Sequence, residues 1–122
     1  MLKMAGIESK NFSEADETRT PEKTLVEFVD LQTVKAAKLT LQPGWSWSGC
    51  VKPVVGGDSC QQNHIGVCVS GSMRVTHDDG TEVVIKPGDA YSIKPGHDGT
   101  VLGDEVCVMY EFDQKAAETY AT

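Results

Sequence analysis

Gly88-Asp89-Ala90-Tyr91-Ser92-Ile93-Lys94-Pro95-Gly96-His97 runs turn, strand, turn and delivers a histidine to whatever follows. Gly-Asp and Pro-Gly are turn formers, Gly because it tolerates positive φ and Pro because its φ is preset. The Ala90–Ile93 stretch between them has strand length. The same grammar extends in both directions. Upstream lie Pro43-Gly44, Gly56-Gly57-Asp58, Ser70-Gly71-Ser72, Asp78-Asp79-Gly80 and Lys86-Pro87-Gly88-Asp89, and downstream Gly103-Asp104. Between these turns the runs 25–29, 34–41, 65–75, 81–85, 90–93 and 105–112 read as strands. Asp79-Gly80 has the chemistry of a two-residue hairpin turn. Many short strands ended at near-regular spacing by Gly or Pro predict an all-β sandwich or closed barrel.

With 122 residues, 39% hydrophobic and 24% charged, the chain has the balance of one globular domain. Residues 1-23 are polar and close on Pro21, and they read as an N-terminal arm. Residues 24-113 are the barrel, and 114-122 a C-terminal tail whose helix-forming residues are too few to hold a helix alone. The net charge of -7 excludes nucleic acid and anionic membrane surfaces as expected partners, since phosphate binding needs a basic patch. No stretch approaches the ~20 apolar residues of a membrane span. The first residues lack the apolar core of a secretion signal, so a cytoplasmic location is expected. The four cysteines, Cys50, Cys60, Cys68 and Cys107, show no CxxC spacing and are expected to be free thiols.

Side chains alternate faces along a strand. A strand running unbroken through residues 58–64 puts Asp58, Cys60, Gln62 and His64 on one face, and Ile65, Val67 and Val69 then lie on the other. The first face suits a barrel interior. The second needs a covering sheet or a second subunit, so a homodimer is expected. Trp45 and Trp47 share one strand face after Pro43-Gly44. Core packing suits one of them, and a wall at the barrel mouth suits the other. His77, beside the Asp78-Asp79-Gly80 turn, reads as exposed and structural.

These residues resemble the cupin superfamily, whose fold is a double-stranded β-helix, a jelly-roll barrel. Gly88 to His97 looks like the second half of the cupin signature: Gly-Asp, a short strand, Pro-x-Gly and a His. Gly103-Asp104-Glu105 matches the turn that often follows. Val69-Ser70-Gly71-Ser72-Met73-Arg74-Val75, with Pro43-Gly44 upstream, resembles the end of the first half. The resemblance spans roughly residues 34 to 112. Counting back seven from Gly71 places His64 where the family has a glutamate. Cys60 then falls at the second His of His-x-His, and Asp58 at the first. The usual three-histidine-plus-glutamate set is therefore absent.

Carried over residue by residue, the resemblance implies a site of His64, His97 and Cys60, with Asp58 and Gln62 in reach. Such ligands suit a divalent transition metal (Zn, Ni, Fe or Cu) and leave a coordination position open for a small-molecule ligand. Tyr91, Trp47 and Gln62 are the residues expected to meet that ligand. The bland alternative is a histidine satisfied by a backbone or Gln62 hydrogen bond, with Cys60 filling space. Two function classes stay open. One is a metal-binding cupin acting on or binding a small polar metabolite, the metal serving as Lewis acid or substrate anchor. The other is a non-enzymatic ligand-binding or regulatory cupin module. No catalytic residue stands out, because no carboxylate pair accompanies the site.

Overall fold

The computed structural model describes residues 6–114. A 3-10 turn at Phe12–Glu14 precedes the strands β1 (Glu17–Arg19), β2 (Thr24–Asp30) and β3 (Val34–Leu41). A π-type turn, Trp47–Val51, leads into the short helix α1 (Lys52–Val55). Then come β4 (His64–Ser70), β5 (Ser72–His77), β6 (Glu82–Ile85), β7 (Ala90–Ile93), β8 (His97–Leu102) and β9 (Cys107–Gln114). They form two antiparallel sheets, one ordered β1-β2-β3-β9-β4-β7 and the other β6-β5-β8. The architecture is the double-stranded β-helix that the cupin resemblance implies, within the all-β sandwich-or-barrel class that the turn-and-strand grammar predicts.

The core lies between the sheets. Leu41, Cys68, Cys107 and Met109 from the larger sheet meet Met73, Val75, Ile85 and Val101 from the smaller one. On β4 the alternation puts His64, Gly66 and Cys68 inward. Ile65 and Val69 point outward and are about half exposed, at 54% and 47%. Sequence parity placed this outer face correctly. β4 begins beside the end of β7 (His64↔Ile93) and the far half of β9 (Gly66↔Glu111). This end of the barrel holds the polar side chains.

Three expectations need correction. First, no strand runs unbroken through residues 58–64: residues 61–63 are irregular, and β4 starts at His64. The reason is that the backbone of Cys60 is already committed to β8. Its N–H donates to the His97 carbonyl at 2.7 Å, and its carbonyl accepts from the Gly96 N–H at 2.8 Å. Second, Trp45 and Trp47 do not share a strand face. Ser46 caps a turn instead, its Oγ accepting from the Gly49 N–H at 3.0 Å, so the chain coils at Trp47. Both indoles are buried in the core, and Trp45 Nε1 donates to Thr24 Oγ1 at 2.8 Å. Third, His77 is partly covered rather than exposed, although it is structural as expected, bonded on both ring nitrogens.

The polar arm contributes β1, which pairs along β2 at the sheet edge (Glu17↔Phe28), and Phe12, whose ring packs 5.5 Å from that of Tyr110. β9 extends through Gln114. The rest of the expected C-terminal tail lies outside the described residues.

Candidate metal centre

Cys60, His64 and His97 converge at the end of the barrel where β4 and β8 begin, and one ligand atom from each lies within 4.8 Å of the others. Cys60 Sγ is 3.8 Å from His64 Nε2, and the two imidazole rings meet edge to face with centroids 5.0 Å apart. Two ligands of one tetrahedral zinc, at about 2.1 and 2.3 Å, are separated by about 3.6 Å. The Cys60–His64 pair is already close to that spacing. Among the described residues no carboxylate joins this group.

Each histidine is held by its other nitrogen. His64 Nδ1 donates to Glu111 Oε1 at 2.6 Å, and His97 Nδ1 donates to the Lys94 carbonyl at 2.7 Å. Both bonds keep a proton on Nδ1 and aim Nε2 into the group, so Nε2 is the nitrogen an ion would take in exchange for any proton it carries, the arrangement metal-ligating histidines use. Glu111 is held in turn: its Oε2 accepts from the Tyr91 hydroxyl at 2.8 Å. This Tyr91–Glu111–His64 line passes over Gly66. A Cβ there would collide with the Tyr110 carbonyl and lie 2.9 Å from both the Tyr91 hydroxyl and Glu111 Cγ. Glycine is required at that position by close approach.

Burial pushes the Cys60 thiol up, but hydrogen bonds from His64, His97 and the Gln62 backbone outweigh it and hold the pKa at about 6. Burial works against charge on His64 as well. There the Cys60 sulfur and the Glu111 carboxylate prevail, and the imidazole is raised to about 10. Without a metal the two form a thiolate–imidazolium pair near neutral pH. Cys107, by contrast, is driven up to about 12 by burial and by Cys68, so its thiol is inert packing. Burial and the Glu111 charge push Tyr91 far above the ordinary phenol range, and its hydroxyl stays protonated as a donor.

The other residues picked from the sequence lie outside this group. Asp58 is exposed, and Gln62 is exposed on the irregular segment between Cys60 and His64. Tyr91 spends its hydroxyl on Glu111. Trp47 is buried among the core residues. Sequence reasoning missed Glu111. A signal existed, because on β9 it shares parity with the buried Cys107 and Met109, and a carboxylate at an inward position needs a partner.

No family model matches the chain. No curated protein matches it either. Solved structures do. The polyketide cyclase RemF from Streptomyces resistomycificus aligns at TM-score 0.61 and 14% identity, over 89% of this chain and 80% of that one. A cupin-like protein from Thermotoga maritima aligns at 0.52 and 14%, over 77% and 70%. The structure of Fe(II) HppE aligns at 0.61 and 6%, over 88% of this chain and 60% of that protein. These likenesses establish the fold: the chain has the cupin barrel fold across most of its length.

Proposed function

We propose that this cupin barrel is a metal-binding protein in which Cys60, His64 and His97 hold one divalent transition ion and a small polar metabolite docks against it. The observation that carries the reading is the convergence of three ligand atoms within 4.8 Å, with the second nitrogen of each histidine already bonded elsewhere. A bound ion would supply Lewis acidity, or an anchor for a substrate oxygen, at a coordination position the three protein ligands leave open. Zn, Ni, Fe and Cu all accept such donors, and the thiolate of Cys60 favours the softer ions among them. Glu111 orients His64 and raises its basicity. The Lys94 carbonyl does the orienting for His97. Gln62, exposed between two of the ligands, is the residue we place against the metabolite ahead of Tyr91 and Trp47, which the line to Glu111 and the core already engage.

A second reading is a ligand-binding module without catalysis. Both Glu111 oxygens are occupied, Oε1 by His64 and Oε2 by Tyr91, so the group contains no uncommitted carboxylate to serve as a general base. A cytoplasmic location belongs to the same proposal, supported by four cysteines that stay unbridged.

Elemental analysis of the purified chain tests the metal reading: about one equivalent of transition metal is expected. Co(II) loading should produce a thiolate-to-metal absorption that Cys60→Ser removes. A chain that neither retains metal nor takes up Co(II) would overturn the proposal. Should His97→Ala abolish turnover of an identified substrate while the fold persists, the enzyme reading is favoured over the binder.

A further inference from the structure

Two of the three ligands sit at the margin of the regular ladders, Cys60 on an isolated bridge and His97 on the first residue of its strand. Cys60 follows the bends at residues 57–59, and His97 opens β8 directly after the Pro95-Gly96 turn. The tip of the β5–β6 hairpin bonds the residues just before each of them, Ser59 on one side and Pro95 and Gly96 on the other. His77, paired in register with His97, donates from Nε2 to the Pro95 carbonyl at 2.9 Å and accepts from the Asp79 N–H at Nδ1, at 3.0 Å. The Asp78 N–H donates to the Gly96 carbonyl at 2.8 Å. Asp78 Oδ2 accepts from Ser59 Oγ at 3.2 Å, and Ser59 Oγ in turn accepts from Gln61 Nε2 at 3.0 Å. Ser59 is one of two buried polar residues among those described, the other being His97. Gly96, at φ 100, allows this approach: a Cβ there would sit 3.1 Å from Asp78 Oδ2 and 3.5 Å from His77 Nε2.

We propose that Asp78, acting through Ser59, and His77, acting through Pro95, are positioning residues that hold Cys60 and His97 at ligand distance. The inference rests on reading the three-residue group as a metal centre. A hydroxyl that is buried rather than hydrated gains from one aimed carboxylate, and Ser59 is the residue immediately before Cys60. Fixing the Ser59 side chain fixes the start of the Cys60 backbone, whose two bonds to β8 complete the frame. The Pro95 carbonyl lies one residue beyond the Lys94 carbonyl that holds His97 Nδ1. Anchoring that turn sets the angle at which the imidazole enters the group. None of the three side chains touches the metal position, so their effect reaches the ligands through geometry.

The test compares Ser59→Ala, Asp78→Ala and their double variant with the conservative Ser59→Thr, in the full chain. Co(II) affinity should fall roughly 10-fold in each single variant and no further in the double, because the two act along one path. Ser59→Thr should stay near wild type. The thiolate-to-Co(II) band should also weaken per bound ion, which a general loss of stability does not produce. In the metal-free chain, ring NMR signals of His64 and His97 should shift in the Ala variants. Unchanged affinity with unmoved ring signals overturns the proposal. If wild type takes up no Co(II), the metal reading falls and the ring signals alone decide the brace: shifted signals sustain it, unmoved ones end it. Should Asp78→Ala fail to fold, the Ser59 pair decides the outcome.

Discussion

Glu111→Gln separates two effects that the carboxylate exerts on His64 in opposite directions. The substitution keeps shape and an acceptor oxygen for His64 Nδ1, but removes the charge behind the 2.6 Å bond. Loss of such an outer carboxylate typically costs 10–100-fold in metal affinity, about 1.4–2.7 kcal/mol. The same charge also helps raise His64 to about 10. At pH 7 an entering ion must displace that proton, a penalty of up to about three decades, or about 4 kcal/mol. Removing Glu111 returns part of this penalty, while Cys60 keeps the rest. The sign follows from the direction of the shift. Below the raised pKa the relief partly hides the intrinsic loss, and as pH climbs toward about 10 the relief vanishes. The affinity ratio of wild type to Glu111→Gln should therefore widen with rising pH and approach the full 10–100-fold. Chelator competition with Co(II) or Zn(II) at several pH values measures it. A ratio of one throughout would show that Glu111 does not act on His64. A ratio that narrows with rising pH would refute the proton-competition argument.

In the wild-type chain the Cys60–His64 pair holds one proton between about pH 6 and about 10, so metal affinity should rise about tenfold per pH unit there. Below about 6, where Cys60 also takes up a proton, the rise should steepen towards about 100-fold per unit; a flat profile in competition titrations would remove these groups from the ligand set. Gly66→Ala should destabilise the fold by about 1–3 kcal/mol through overpacking against the Tyr110 carbonyl, read as a lowered Tm, and a variant as stable as wild type would contradict the close approach. We propose that the exposed Ile65, Val69 and Phe112 on the outer face of the larger sheet are covered by a second copy of the chain. Sedimentation should give a dimer that Ile65→Lys converts to monomer, and a 13.2 kDa species for the unmodified chain at micromolar concentration would end that idea.

The strand alternation of Ile65, Val67 and Val69 against His64 and Cys68, and the Gly and Pro turns around them, were legible in the sequence because they follow from local backbone preferences. Those preferences act within a few residues, so the barrel and the inward direction of His64 could be read without coordinates. Of the two grounds for grouping Cys60 with His64, strand parity fails and the motif count of the cupin resemblance agrees with the observed cluster. A continuous strand was expected to put them on one face, whereas Cys60 reaches the site by bonding to β8 across the barrel. That pairing joins residues far apart in the chain, and no local pattern announces it. Glu111 was hidden for the same reason. Its bond to His64 spans 47 positions and forms only when β9 lies beside β4. The placement of Trp45 and Trp47 was decided by competition, since the Ser46 side chain bonds its own turn and the indoles fill the space between two sheets. Sequence determined which residues can ligate and which faces are apolar, because both are properties of single residues and their neighbours. Tertiary structure alone decided which nitrogens are tied back, which carboxylate stands behind His64 and which hairpin braces the ligands, because each depends on contacts that exist only after distant strands have met.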